Sequence, residues 1–470
     1  MPNTRHFDVA IIGGGVLGTA VAERLTRTNL AVCLFESEND VGEQASKGNA
    51  GNTVSYYGAP GQQTDLINLS NPLWEEITTR LNVPFRRSGG LMVAFDDNEI
   101  SRLEHTLEEM MDCGVTANFV DGEMAREIEP LLSPKVVRAI SMPNEGIIDP
   151  MRLTVAYANL AVMNGLALFL GEPVTGIRKS DSDKWEITTD SRVVTSRYLI
   201  NAAGVRAGYI SELAGGENLE MWPRKGQYAV LDRAFGHKLK RIVFSTHQPD
   251  TKGTNVVPTT HGSVLLGPTA ENHDDYRDKS TDAHVIEEVI RQGIKLVPAI
   301  ETAYVLKTFA ANRPASDEPH RLRIDTQIKE LIHITDRSAG VSLSPAAAEM
   351  VADLLRQLGL DFEDQPNKQN VLPKVFQMRT TQTPEQAVHS NPLYGQIVCV
   401  CENVSAAEIE SALTSPVPAC SVDGVRKRTG ASYGRCQGSL CLAGITFLTA
   451  LHSNKGPTDV RQTSEGTLGS

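Results

Sequence analysis

The chain has 470 residues, 40% of them apolar, enough for more than one domain with a real core. Its 45 Lys and Arg against 57 Asp and Glu leave a net charge of −12. That balance argues against nucleic acid and anionic membranes as partners, but an anionic substrate needs only one or two local cations. No run approaches the roughly 18–20 apolar residues of a membrane span, and no targeting signal opens the chain. The expected setting is a reducing cytoplasm, where seven cysteines in a chain this long are not a disulfide framework.

Residues 7–13 read as a strand, 16–28 as a helix and 31–35 as a second strand, a β-α-β unit. Gly13, Gly15 and Gly18 lie in the turn Gly13-Gly-Gly-Val16-Leu17-Gly18 between strand and helix. The first permits the tight turn, and the second lets backbone approach a pyrophosphate at the helix N-terminus. The third permits close helix–strand packing, helped by Ala22 one turn on. Glu36, followed by Ser37, ends the second strand, where a carboxylate binds ribose hydroxyls and repels the 2′-phosphate of NADP. The competing reading is a glycine turn without a ligand. The turn does not choose between FAD and NAD. With only one such motif in the chain, electrons have to enter from a substrate bound against the cofactor.

Helical stretches follow at about 98–113 and 123–131. Asp149-Pro150, a carboxylate cap and a proline at the first helical position, opens a helix through Asn164. Strands are expected near 167–170 and 185–189, and a buried one at Tyr198–Ile200 before Asn201-Ala-Ala203-Gly204. Residues 225–268 alternate as in a mixed or antiparallel sheet. Ser344-Pro345 is expected to open a helix over 345–358. The Gln-, Asn-, Thr- and Pro-rich stretch 362–392 reads as a linker, and 455–470 as a flexible tail.

Between them, 393–454 carries Cys399 and Cys401 as a C-x-C pair and Cys436 and Cys441 as a C-x4-C pair. Thiolates suit iron–sulfur clusters, zinc and Cu(I). Structural zinc sites favour C-x2-4-C pairs, so the tight first pair is less typical of zinc. Gly434, Gly438 and the small Ser439 would let backbone amides approach cluster sulfurs. A segment this short lacks core enough to stand alone, and a metal centre would supply the difference. Zinc and free thiols remain the alternatives. Ser405-Ala-Ala-Glu408 is a capping box, and a second helix is expected from about Leu440 to His452. Cys33, Cys113 and Cys420 read as small packed residues.

Three segments carry a family resemblance: Ala45-Ser46-Lys-Gly-Asn49-Ala-Gly51-Asn52-Thr53, Gly146-Ile-Ile-Asp149-Pro150 and Asn201-Ala-Ala203-Gly204. They resemble the D-amino-acid oxidase superfamily of flavoproteins. The resemblance implies FAD held by Ser46, Asn49, Gly51, Asn52, Ala203 and Gly204, with Gly340, Val341 and Ser342 approaching the ring. Thr53, Val54 and Ser55 stand where some relatives attach the flavin through His or Cys, so noncovalent FAD is expected. Arg224-Lys225-Gly-Gln-Tyr228, Val257-Pro-Thr-Thr-His261-Gly262 and Leu266-Gly-Pro-Thr269 look like the branch of L-2-hydroxyglutarate and glycerol-3-phosphate dehydrogenases. That resemblance places Arg313 as a substrate clamp. His261 becomes a candidate proton acceptor, and Lys225 a candidate to hold substrate or steady charge on the reduced flavin. The plainer readings are an ion-paired arginine, a satisfied loop histidine and a solvated lysine. Asp336 and Arg337 stand where relatives are more often small or apolar.

Val398-Cys-Val-Cys-Glu402-Asn-Val404, Asp423-Gly-Val-Arg-Lys-Arg-Thr-Gly430 and Gly434-Arg-Cys-Gln-Gly-Ser-Leu-Cys441 closely resemble the [2Fe-2S] module of bacterioferritin-associated ferredoxin. The implied α/β fold is a Rossmann-type FAD domain over 1–361, with an interleaved α+β substrate domain mainly at 53–145 and 220–320. A small helical [2Fe-2S] module over 393–454 follows. The implied function is an FAD-dependent dehydrogenase for a small hydroxy acid, polyol phosphate or amino/imino acid. It would pass electrons through the cluster to an external electron-acceptor protein or another subunit. The alternatives are an O2-using oxidase with a structural cluster and a non-catalytic electron-transfer subunit.

Overall fold

The computed structural model describes residues 5–58, 60–180, 183–246, 253–316 and 320–463. The apolar strand Arg5–Ile12 lies at the centre of an eight-stranded sheet. It pairs in parallel with Val32–Glu36 on one side and Val193–Asn201 on the other. Ala167–Leu170 and Leu331–Asp336 extend the parallel part outwards, while Val174–Lys179 and Trp185–Thr189 add an antiparallel excursion. Residues of the central strand enter different cores, alternating from Val9 to Ile12. Val9 and Ile11 pack with the helices, whereas Phe7, Ala10 and Ile12 pack with Phe169, Trp185 and Ile210. A sheet covered on both faces explains why its strands read as apolar runs. The helix Val16–Thr26 is buried except at Leu17 and packs between Pro150–Met163 and Gly340–Gln357.

A nine-stranded sheet forms the second layer. Its long strand Trp222–Leu231 runs antiparallel to Val305–Ala315, with Arg224 opposite Arg313 and Tyr228 opposite Phe309. The last unit contains the pair Ile397–Cys399 and Val404–Ser405 and the helices Ala406–Leu413, Val422–Thr429 and Leu442–Ser453, closed over Ile409, Val425 and Ile445. The Ser405/Glu408 capping box forms, and Asp149 Oδ1 accepts from the Met151 and Arg152 amides at 3.1 and 3.0 Å. Among the described residues no helix is long and apolar enough to cross a membrane.

Four expectations change. The helix placed at 123–131 ends at Ile128, because Glu129 precedes a proline and turns extended. The helix expected from Pro345 begins at Gly340. A proline inside a helix removes one donor, and Ser344 Oγ supplies a replacement to the Val341 carbonyl at 3.0 Å. The stretch 362–392 contains the helix Pro384–Ser390 and is fastened to the first layer, through Lys368 Nζ to the Asn164 carbonyl and the Leu372 amide to the Arg80 carbonyl. The tail departs from a free end up to residue 462: Val460 is buried, and the Val422 and Asp423 amides donate to the Arg461 and Gln462 carbonyls. Residues 464–470 lie outside the described residues.

Candidate cofactor cavity and cysteine centre

A cavity of about 690 Å³ runs between the two large sheets. At one end the turn after the first strand comes too close to its neighbours for side chains. A Cβ on Gly13, whose φ is +113°, would stand 2.3 Å from the Ala202 carbonyl oxygen, and one on Gly18 would stand 1.9 Å from that of Gly13. At Gly15 a Cβ would find only Ser46 Oγ, at 3.4 Å, because that face is open to the cavity. Glu36 accepts from the Gly14 amide at 2.7 Å and from the Glu38 amide at 2.9 Å, while Ser37 Oγ donates to it at 3.1 Å. Burial pushes the Glu36 carboxyl up, against the pull of those bonds. Ser46 Oγ, brought from a distant loop, accepts from Val16 at the helix start. This cradle fits a dinucleotide: open backbone at a helix N-terminus, with an acid at the ribose position.

Gly13, Gly15, Val16, Leu17, Glu36, Ser37, Ala203 and Gly204 all line this cavity, as do Ser46, Asn49 and Asn52. Gly340, Val341 and Ser342 line it too, now as the first turn of a helix rather than as the segment before one. Ser342 Oγ accepts from the Val54 amide at 3.0 Å, joining that turn to the segment 52–55. Gly18 and Gly51 stand behind the wall. Gly18 packs on Gly13, and Gly51 donates its amide to Asn49 Oδ1 at 2.8 Å.

The three residues proposed for substrate chemistry separate. Arg313 lines the cavity, with Nη2 donating to the Thr269 carbonyl at 3.2 Å. Lys225 does not line it; its ammonium donates to Asp278 at 2.8 Å and Ser280 at 3.1 Å. His261 is also elsewhere, buried with Nε2 2.8 Å from Asp149 and Nδ1 facing Arg379 at 2.9 Å. An arginine can only donate, so Nδ1 is the acceptor and Nε2 carries the proton to Asp149. Burial and its arginine neighbours pull the His261 pKa down despite Asp149. Neither His261, the candidate proton acceptor, nor Lys225, the candidate to hold substrate or steady the reduced flavin, lines the cavity, and each is engaged by partners of its own.

Arg224 and Arg337 were not among the expected site residues. Burial lowers the Arg224 pKa, and repulsion from Arg313 and Arg337 lowers it further. Among the described residues none of these three forms an ion pair; Arg224 has only an amide oxygen, Asn272 Oδ1, at 2.8 Å. Of the three only Arg313 lines the cavity; Arg224 and Arg337 stand outside its lining, close enough for their charges to be felt, so this end is electropositive. Tyr57 lies within their field and lines the cavity, and burial raises the Tyr228 hydroxyl to about 12.

The cysteines gather on turns of the last unit. Cys399 ends a strand, Cys441 caps the helix Leu442–Ser453, and both are buried; Cys401 and Cys436 are partly exposed. Asn403, Ser432 and Gln437 adopt left-handed φ of 51°, 69° and 48° to turn the chain around them. Cys399 faces Cys441, and Cys401 faces Cys436. Burial pushes the Cys399 thiol up to about 11, while the amides of Leu440, Gly438 and Ser439 hold Cys436 below the usual thiol range. Ser432 Oγ lies 3.3 Å from Cys441 Sγ. Amides aimed at sulfur favour thiolate ligands. One tetrahedral zinc ion, with Zn–S near 2.3 Å, would draw all four sulfurs within about 4 Å of one another. Among the described residues the one trio of metal-ligating atoms within 4.8 Å is Glu217, Asp325 and His333, outside this centre. Sulfurs paired two by two fit a two-iron cluster instead. The unit is tied to the first layers by Arg379, which donates to Glu402, beside Cys401, at 2.6 Å and faces His261.

Residues 8–354 match the protein family described as FAD dependent oxidoreductase, and residues 397–448 match the BFD-like [2Fe-2S] binding domain. The chain is 32% identical to a protein from Caloramator mitchellensis named glycerol 3-phosphate dehydrogenase, over 98% of this chain and 97% of that one. It is 28% identical to the glycerol 3-phosphate oxidase of Mycoplasma genitalium, over 74% of this chain and 94% of that one. Among solved structures, dithionite-reduced L-alpha-glycerophosphate oxidase from Mycoplasma pneumoniae with FAD bound is similar, at 25% identity and a TM-score of 0.74. That likeness covers 79% of this chain and 100% of the other.

Proposed function

The chain belongs to the family of FAD-dependent oxidoreductases, with a [2Fe-2S] domain appended, and on that premise we propose that it is a cytoplasmic dehydrogenase of glycerol 3-phosphate or a closely similar anionic alcohol. The observation that carries this reading is Arg313 on the cavity wall, with the positive charges of Arg224 and Arg337 close behind it. When bound, FAD supplies the hydride acceptor and the [2Fe-2S] cluster a one-electron outlet.

The chain's own residues supply binding, orientation and field. Arg313, on the cavity wall, clamps the phosphate or carboxylate, and Arg224 and Arg337 add the charge that a dianion needs. Val54, Val257 and Ala311 line the same cavity with apolar surface, which keeps water from the reacting carbon. The first turn at Gly340–Ser342 points the positive end of an eighteen-residue helix into the cavity, where negative charge develops. Among the described residues no histidine or cysteine lines the cavity, which supports noncovalent FAD held by Gly13, Gly15, Val16, Leu17, Glu36, Ser46 and Asn49. Cys399, Cys401, Cys436 and Cys441 hold the cluster. Its partly exposed side, at Cys401 and Cys436, supports an external acceptor protein.

Anaerobic addition of glycerol 3-phosphate to the holoenzyme should bleach the flavin, while glycerol, which lacks the anion, should not at the same concentration. Equal bleaching by glycerol, or none by any anionic hydroxy compound, would contradict the reading. Stoichiometric peroxide during turnover in air would point to the oxidase alternative.

A further inference from the structure

The segment 38–50 walls the cavity on one side and receives the cysteine module on the other. It is built of turns, without helix or strand, so its shape depends on what it touches. On the cavity side, the Gly42 amide donates to the Gly14 carbonyl at 2.9 Å and Ser46 Oγ accepts from Val16 at 2.9 Å. Glu43, Gln44 and Ser46 face the cavity itself.

On the module side, the helix Val422–Thr429 turns charged residues inward. Lys427 is 2% exposed. Its ammonium donates to Asp40 Oδ2 at 2.9 Å, to the Val41 carbonyl at 3.0 Å and to Glu43 Oε1. Arg428 grips both oxygens of Asp40, at 2.7 and 2.8 Å, and Asp423 accepts from Lys47. Asp40 and Glu43 are themselves buried, and the cations of this helix hold the Asp40 carboxyl far below its usual range even though burial opposes them. Removing one partner from such a set leaves a buried charge uncompensated. A continuous polar path therefore leads from Lys427 through Asp40–Glu43 to Gly14 and the dinucleotide turn.

We propose that the cysteine module is a retention clamp for the flavin: the helix Val422–Thr429 holds residues 40–47 in the shape that binds FAD. Module docking and FAD binding each pay part of the ordering of one segment, so each strengthens the other, by the same factor in both directions. The inference rests on the FAD reading and adds a role for the module separate from electron transfer.

Two measurements on the full-length chain test it. The first is FAD affinity of the apoprotein by fluorescence titration, for the wild type, Lys427→Met and the milder Asp423→Asn, with cluster absorbance checked in each. Lys427→Met should weaken FAD binding by about tenfold, within the usual range of coupling between sites, and Asp423→Asn by less. The second is hydrogen exchange of the wild-type apoprotein with and without FAD, where FAD should slow exchange at 422–429. FAD held equally tightly by Lys427→Met with its cluster intact would overturn the clamp, as would unchanged exchange at 422–429 on FAD binding. If Lys427→Met fails to fold, the wild-type exchange result decides. Absence of any FAD uptake by the wild type would overturn the cofactor reading and the clamp together.

Discussion

The flavin cavity and the cysteine centre sit in one chain but are put together differently. The cysteine centre is local. Its four cysteines lie within 399–441, and the turns that aim them come from the same stretch. The cavity is assembled from distant strands and loops. Glu36, Ser46, Tyr57, Arg313 and Gly340 meet only when the two large sheets have packed. Local centres announce themselves by spacing. Assembled ones show their cofactor end, which needs a glycine turn, and conceal their substrate end, which needs only register.

This contrast can be broken by substitution. The largest effect is expected at the local centre, where Cys436→Ser should prevent cluster assembly, because one thiolate of four is lost and its amide neighbours are left without their sulfur. Iron content and visible absorbance read this directly. If the two centres are separable, the same variant should still show flavin bleaching by substrate; loss of both would mean that the cavity depends on the cluster. Arg313→Ala should lower kcat/KM for an anionic substrate about 10²–10³-fold, about 3–4 kcal/mol, the scale of removing a buried charge partner. Arg313→Lys should restore only part, since the fork is lost. An unchanged kcat/KM would move the anion site away from Arg313. Gly18→Ala should disturb folding, because its methyl would strike the Gly13 carbonyl. Gly15→Ala should leave the fold intact and weaken FAD binding alone, as measured by thermal melting beside FAD titration.

The smallest effect concerns the contact between the two regions. Buried His261 has its pKa pulled down, so the unfolded chain binds more protons as pH falls below the ordinary histidine value of about 6.5. Stability should fall with pH from there. Asp149 acts in the same direction: burial opposes its charge, but His261 and Arg152 hold its carboxyl below the ordinary value. Its share is present above the ordinary carboxylate range and lost as pH falls through the folded pKa. His261→Gln should flatten the upper part of this profile in urea melts recorded between pH 5 and 8. An unaltered profile would assign the acid sensitivity elsewhere.

How far the sequence could be read follows the same division. The dinucleotide turn, Glu36, the Asp149 cap, the Ser405 capping box and the cysteine pairs were legible because each is a short-range device with a fixed spacing. The start of the helix at Gly340 was hidden, because a Ser-Pro pair looks like a helix start and the compensating Ser344 bond cannot be seen in sequence. The convergence of Arg224 on Arg313 depends on strand register, which composition does not encode. A signal for it existed: three arginines each close to a family-like motif with no acid beside two of them. His261 resembled a proton acceptor because histidine suits that role. Its clasp is Arg379, from a stretch without periodicity, which gave no sign of where it would lie.

The central claim is that one polypeptide takes electrons from a small anionic alcohol and delivers them to its own iron–sulfur centre. The most direct test is anaerobic mixing of wild-type holoenzyme with glycerol 3-phosphate and no other protein, following flavin absorbance and the electron paramagnetic resonance of the cluster. The account requires flavin bleaching followed by the signal of a reduced cluster. A bleached flavin beside a cluster that stays oxidised would contradict it.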